Sequence, residues 1–548
     1  MLKNTNRILS ICSNTYNKVS DFIIKYAFYV NAIMAIFVLY TVLWSLNKGL
    51  VFADESFYLL HLQQPNGVVS FSEWPFYAQL IFPKDLFTIR LITIFLQLLS
   101  IGILSFSINR FFKTIPFFEI LSIGIIGMFV FFSPVQFVPN YVTFNSILIT
   151  LSTGFFLLML QAEEKRQKYI FGILTGFSIG PLIFIMVTNI PFICLMSFIV
   201  LVYSKKDKIV QLLSITIGIV LSVLFFFVFV RTYNNYLNDL NMALDYLATD
   251  QSHGNSSMVD WVIDVILYAL KSIIPAALLF FVSLNLFKNK PIKYFLFSIA
   301  ILIMLFDIRS NFLDDIKNIN TPTPVFIILL AITLNAFFNK KFQLASILIF
   351  ALFIPFFSSL GTDVSYIIRS TMYLVTPFVL IFCLLKTQEN KKFILPFYLL
   401  ISLFLFRHKI LFPTNTGWHN FKLSDQTISV KSIGINQNIK LDQPKIERLK
   451  KLKSIIPINS KLAVSNNTLW GNAFLLSLNP LYLSYVFDEK NTIKALKELT
   501  DKKETVYLLE DIYSPFPKSF FLKIDSLNYI NTSSSIDKET RLYKINKK

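Results

Sequence analysis

IVQLLSITIGIVLSVLFFFVFV, from Ile209 to Val230, holds 22 residues and no charged side chain. Coiled as an α-helix at about 1.5 Å per residue it would run ~33 Å, enough to cross a hydrocarbon core of about 30 Å. Runs of the same kind flank it on both sides. They lie at about Tyr26 to Leu46, Leu86 to Ile108, Ile115 to Phe132, Val142 to Leu160, Trp261 to Phe287, Ile292 to Phe306, Pro324 to Phe338, Phe342 to Phe357, Met372 to Leu385 and Phe393 to Phe406. The run from Tyr169 to Tyr203 is too long for one crossing and divides at the turn-prone Thr188-Asn189-Ile190-Pro191. The pattern predicts an α-helical polytopic membrane protein with about 13 transmembrane helices.

Composition agrees. Charged residues make up 15% of the 548, against about a quarter in a soluble protein, and 54% are hydrophobic, with 59 Phe. Mean hydropathy is +0.60. So apolar a chain cannot hide its side chains in one aqueous core, and lipid must solvate most of it. The net charge of +19 would suggest nucleic acid in a soluble protein. Here the basic residues cluster in alternate short loops, as topology signals do, and no nucleic acid is expected. One set holds Arg110 and Lys113, then Lys165, Arg166 and Lys168, Lys205, Lys206 and Lys208, Lys288, Lys290 and Lys293, Lys340 and Lys341, and Lys386, Lys391 and Lys392. Lys3, Arg7, Lys18 and Lys25 give the N-terminus the same sign, so it is expected to be cytoplasmic. An odd number of crossings then puts the tail outside. The expected setting is a bacterial inner membrane. The first span is too long for a signal peptide and lacks a cleavage site, so it reads as a signal anchor. Cys12, Cys194 and Cys383 show no disulfide or metal spacing.

Residues 1–406 therefore read as a multi-span domain and 407–548 as a small extracytoplasmic α/β domain. In the latter, Lys461 to Ser465, Leu481 to Phe487 and Thr505 to Leu509 are predicted strands. Thr468 to Leu478 and Asn491 to Leu499, the second capped by its Asn, are predicted helices. No Gly-rich phosphate loop joins any strand to its helix.

The polar and longer loops fall on the outer side, so chemistry is expected there. Val51-Phe52-Ala53-Asp54-Glu55-Ser56-Phe57-Tyr58 sets two adjacent carboxylates just beyond the first span. Ser56 to Gln64 reads as a short surface helix, with Asp54, Tyr58 and His61 on one face. The helix dipole favours ionised carboxylates at that end, and an ionised carboxylate outside the bilayer can serve as a general base. An N-cap Asp followed by an ordinary first-turn Glu is the alternative reading. Asn140-Tyr141-Val142-Thr143-Phe144-Asn145 opens the fourth span, where polar groups face a bundle interior or a cavity; a helix cap with an interfacial Tyr explains it as well. Arg231, Arg309 and Arg369 lie near outer ends of spans. Each could grip a phosphate, or simply snorkel or pair. Arg369 follows the polar loop Gly361-Thr362-Asp363 and is the preferred one. The four His, at positions 61, 253, 408 and 419, show no metal-ligand spacing, and Asp314 and Asp315 are explained by a solvated turn.

This arrangement resembles the GT-C glycosyltransferases, which include dolichyl-phosphate-mannose mannosyltransferases and aminoarabinose transferases. The acidic pair Asp54-Glu55 in the first external loop carries the resemblance, with the altered Tyr141 to Asn145 stretch and the outer loop at Gly361-Thr362-Asp363 in support. The resemblance implies a polyprenyl-phosphate sugar as donor, with a glycan, lipid or protein acceptor, and inversion at the anomeric carbon. Asp54 would be the general base. Glu55 would hold the acceptor or support a divalent cation such as Mg or Mn if one is used. Tyr58 and His61 would line the acceptor side, Tyr141 and Asn145 would bind substrate, and Arg369 and Arg309 would neutralise the departing phosphate. A transporter or flippase for lipid-linked sugars, a polysaccharide polymerase or ligase, and a non-catalytic membrane scaffold whose tail binds a partner remain the alternatives.

Overall fold

The computed structural model describes residues 2–65, 72–130, 137–204, 207–249, parts of 262–300, 323–358, 371–386, 397, 398, 401, 422–484, 487–499, 505–526 and 529–547. Among them, five helical segments are long and apolar enough to cross a membrane: Asp21–Ser45, Leu86–Phe111, Tyr141–Gln161, Lys165–Ile185 and Lys208–Val230. The first is the apolar part of helix α1 (Leu2–Ser45). Shorter apolar helices follow at Phe117–Phe129, Ile190–Tyr203, Val325–Phe338, Phe342–Phe357 and Val375–Leu385. Their ends fall within a few residues of the predicted spans. The break in the long apolar run is a 3₁₀ turn at Val187–Asn189, with Pro191 in the first turn of the next helix. Pro fits there because its missing N–H would have had no partner. The expected spans at Ile292 to Phe306 and Phe393 to Phe406 lie mostly outside the described residues. The loop expected from Arg231 to Asp260 instead contains a helix, Tyr233–Thr249.

The chain folds as two compact units. One comprises Met1–Leu43, Phe95–Phe132 and Phe144–Phe412; the other comprises Trp44–Ile94, Ser133–Thr143 and Pro413–Lys548.

The first unit is helical. Large apolar side chains such as Ile33, Ile36 and Tyr40 on α1, and Ile209, Leu213 and Val220 on Lys208–Phe225, stand exposed. Only lipid makes so large an exposed apolar surface stable. Lys165–Ile185 and Lys208–Phe225 pack through glycines. A Cβ on Gly176 would lie 1.9 Å from the Ile215 carbonyl oxygen, and one on Gly218 would lie 2.2 Å from that of Ile173. Gly172, Gly176 and Gly180 recur every fourth residue and give the close backbone approach typical of membrane helix pairs. Gly176→Val is expected to force these backbones apart at a cost of at least about 1–3 kcal/mol. A drop in melting temperature in detergent, absent for a change at exposed Leu174, checks this. Glu119, almost fully buried in Phe117–Phe129, receives Lys386 Nζ at 2.9 Å on both oxygens, so neither charge is left alone in an apolar setting.

The second unit contains a mixed five-stranded sheet in the order β4-β3-β5-β7-β6. β3 (Lys461–Val464) runs parallel to β4 (Asn479–Pro480) and to β5 (Val506–Asp511); β7 (Thr540–Lys547) runs antiparallel to β5 and to β6 (Tyr529–Ser535). Val506 to Glu510 are all buried, as in a strand covered on both faces. One face packs on Ile493 and Leu496 of Glu489–Leu499 and on Phe520 and Ile524 of Lys518–Ser526. Helix Gln443–Ile455, capped by Asp442, is tied to the β6–β7 turn by Arg448 Nε donating to Asp537 at 2.5 Å. No strand forms among the described residues of the stretch expected at Leu481 to Phe487; β4 lies just before it, and Leu483 is buried from a loop instead. The cap of Glu489–Leu499 is Asp488, which accepts from the Asn491 N–H, not Asn491 itself.

Two short connections tie the segment after α1 to this sheet-bearing region. Lys440 of β2 (Lys440–Leu441) accepts from the Gly49 N–H at 2.9 Å and donates to the Asn47 carbonyl at 2.8 Å. Gln437 accepts from the Leu86 N–H at 3.0 Å.

Candidate active site

Asp54 and Glu55 open helix α2 (Asp54–Gln63), where the sequence places them. Ala53 supplies no side-chain cap. Instead the Glu55 carboxylate folds back: Oε2 accepts the Val51 N–H at 2.9 Å, and the Val51 carbonyl accepts both the Ser56 N–H and its hydroxyl. A tight loop from Val51 to Ser56 results, and it fixes how α2 starts.

The other Glu55 oxygen belongs to Arg90. Its Nε and Nη2 donate to Oε1 at 2.8 and 2.6 Å, and both side chains are fully buried. Arg90 also donates to the Leu46 carbonyl at 2.7 Å and the Gly49 carbonyl at 2.8 Å. One guanidinium thus joins the end of α1, the following turn and α2. Burial pushes the Glu55 carboxyl up, while Arg90 and the Val51 N–H act in the opposite direction. Charge-assisted bonds in this forked geometry are the strong kind. Arg90 was not among the arginines expected to matter. The available signal is that it is the single charge between Leu86 and Ile108, and an ionisable residue in a span marks a function or a fixed partner.

Both Glu55 oxygens are therefore engaged within the protein, and the carboxylate is open to neither an acceptor nor a cation. Among the described residues no three His, Cys, Asp or Glu side chains come together as a metal site. With Glu55 closed, a divalent cation supported by that residue does not fit this arrangement.

Asp54, by contrast, is partly exposed. Tyr58, one turn further along α2, is also partly exposed and meets Trp74 and Tyr141 edge-on, with ring centroids 6.0 and 6.1 Å apart. Trp74 is buried and opens α3 (Trp74–Gln79). Tyr141 opens the helix Tyr141–Gln161, which Asn140 caps by accepting the Val142 and Thr143 N–H groups at 2.9 Å each. Asp54, Tyr58, Trp74 and Tyr141 all belong to the second unit.

His61 shares the helix but not the exposure. It is 3% exposed, its ring meets Trp74 and Phe57, and it donates to the Pro65 carbonyl. It fills the core under α2 and does not line the acceptor side. Burial drives its pKa down to about 3, so it stays neutral in the fold. The unfolded chain binds a proton near pH 6.5 and the folded one does not, so stability is full above that pH and falls below it, by about 1.4 kcal/mol per unit until pH ~3. His61→Gln is expected to remove this slope. The melting-temperature gap between variant and wild type should shift in the variant's favour from pH 7 to pH 5.

Asn145 belongs to the first unit and is fully buried. Its Nδ2 donates to the Tyr373 hydroxyl at 2.9 Å, and its Oδ1 accepts from Asn189 at 2.8 Å. It links three helical segments and presents no open group for substrate. Arg231 pairs with Asp239, which is the bland alternative for that arginine. Arg309 and Arg369 lie outside the described residues.

A shallow depression beside β3 is lined by Ala463, Asn466, Trp470, Tyr482 and Phe487, among others. None of its lining residues comes from the acidic loop.

No protein-family model matches the chain, and no curated protein matches it in sequence. Solved structures similar to it include ArnT from Cupriavidus metallidurans bound to undecaprenyl phosphate, at 10% identity and a TM-score of 0.43 over 94% of this chain and 97% of that one, and the Archaeoglobus fulgidus oligosaccharyltransferase in complex with Zn and sulfate, at 12% identity and a TM-score of 0.43 over 92% and 72%.

Proposed function

We propose that this chain is an inverting membrane glycosyltransferase that moves a sugar from a polyprenyl-phosphate donor to an acceptor on the extracytoplasmic face. The N-terminus is cytoplasmic, about 13 helices cross the membrane, and residues 407–548 form an α/β region outside. The observation that supports this most is the division within the acidic pair. Arg90 and the Val51 N–H engage both oxygens of the buried Glu55, while its neighbour Asp54 is partly exposed at the same helix start, one turn from Tyr58.

In this reading Asp54 takes the proton of the acceptor hydroxyl as its oxygen attacks the anomeric carbon. The new glycosidic C–O bond forms as the bond to the phosphate oxygen breaks, and the polyprenyl phosphate leaves with its electrons. A single displacement inverts the carbon. Tyr58 and Tyr141 supply aromatic surface for sugar or acceptor, and Glu55 is a positioning residue. Negative charge grows on the phosphate next to lipid, where a fixed cation is worth more than in water. Arg309 and Arg369 are proposed for that task on the sequence reading alone.

The test is turnover by the purified protein in proteoliposomes, supplied with a panel of polyprenyl-phosphate sugars and mixed acceptor lipids and glycans. Consumption of one donor with release of polyprenyl phosphate is the expected result. Retention of every donor across the panel would count against the reading.

A further inference from the structure

We propose that Gly471 and Phe52 form a steric seat that sets the position of Asp54, making the short helix Trp470–Leu475 part of the active-site framework. The proposal rests on the reading of Asp54 as the base.

Phe52 stands two residues before Asp54 and is 9% exposed. Its ring lies directly on Gly471. A Cβ added there would fall 2.3 Å from Cγ of Phe52 and 2.5 and 2.6 Å from the two Cδ atoms. These are the atoms nearest the backbone, so a rotation of the ring tip cannot relieve the overlap. The same glycine donates its N–H to the Phe52 carbonyl at 2.9 Å. Lys445 Nζ lies 5.9 Å from the centre of the ring. Phe52 is thus held at its ring and at its backbone by one residue. It cannot yield without moving the Val51–Ser56 loop, because Val51 is bonded to Glu55 and to Ser56, and Ala53 accepts the Phe57 N–H at 2.9 Å. Gly471 is helical, so the glycine is needed for contact, not for an unusual backbone angle. Only a residue without a Cβ allows the two backbones to come this close.

A displacement of about 1 Å at a catalytic group can cost on the order of 100-fold in rate. Gly471→Ala is therefore expected to lower the turnover number about 10- to 100-fold while leaving KM for the donor within about threefold. The decisive comparison is with Phe52→Ala, which removes all three overlapping ring atoms. Phe52→Ala loses the packing and is expected to be impaired alone. The double variant Gly471→Ala/Phe52→Ala is expected to exceed both single variants. Hydrogen exchange on the full-length protein reads the same seat without any substrate. Gly471→Ala should speed exchange in the peptide holding Ser56 and Phe57, and the double variant should restore protection. The proposal is overturned by wild-type exchange there in Gly471→Ala, or by a double variant no better than the worse single one. Faster exchange confined to the sheet strands would also overturn it, since Gly471 would then matter only to its own region. If wild type turns over no lipid-linked sugar, the transferase reading fails, and the exchange result still decides the seat.

Discussion

Arg90→Ala is expected to destabilise the protein by about 3–5 kcal/mol, the range seen when one partner of a buried ion pair is removed. The pair qualifies, because both side chains are fully buried and the contact is 2.6 Å. The cost has two sources. The Glu55 carboxylate loses its forked donor, and the Leu46 and Gly49 carbonyls lose theirs. Buried acceptors without donors each carry about 1–3 kcal/mol of desolvation cost. Protonation of Glu55 limits the total, since burial already pushes that carboxyl up. A neutral carboxyl no longer needs the arginine, so the deficit should be smaller at pH 5 than at pH 8. Adding Glu55→Gln to Arg90→Ala should cost less than the two single changes combined, by a coupling of about 1–3 kcal/mol. Scanning fluorimetry on the four proteins in one detergent would measure this. Equal melting temperatures for Arg90→Ala and wild type would mean that the pair does not hold the loop.

The apolar helices were legible in the sequence because a bilayer constrains both length and charge. Phe342–Phe357 carries the predicted bounds, and the break before Pro191 follows from the proline itself. The start of α2 was legible because two carboxylates suit a helix N-terminus. Burial was harder to read. Spacing puts Tyr58 and His61 on the face of Asp54, but it says nothing about the neighbour that covers part of that face. Trp74 does so, from a different helix, and His61 is lost beneath it while Tyr58 stays partly open. Arg90 was hidden for a related reason. Inside an apolar run it reads as noise in hydropathy, although its cost there demands a partner. The β6–β7 hairpin escaped notice because Asn531-Thr532-Ser533-Ser534-Ser535 lacks the apolar alternation of a half-buried strand. β6 is an edge strand paired on one side by β7, and such a strand needs less of that pattern.

Asp54→Asn separates the transferase reading from its alternatives more sharply than any other single change. The substitution keeps the size and the hydrogen-bonding oxygen of the side chain but removes the basic carboxylate. Asp54 is partly exposed and opens α2, so stability should fall by no more than about 1 kcal/mol. Turnover should fall about 10²- to 10⁴-fold, the usual contribution of a general base, with donor KM little changed. Glu55→Gln should behave differently, losing stability and activity together, because it weakens the Arg90 contact and reaches the chemistry only through the loop. That contrast is the test of the division within the acidic pair. A scaffold would show no turnover to lose. A flippase would still carry the lipid-linked sugar across sealed vesicles with Asn at position 54. An active wild type matched by a folded Asp54→Asn variant would remove Asp54 as the base and leave stabilisation of the leaving phosphate as the source of catalysis to be sought.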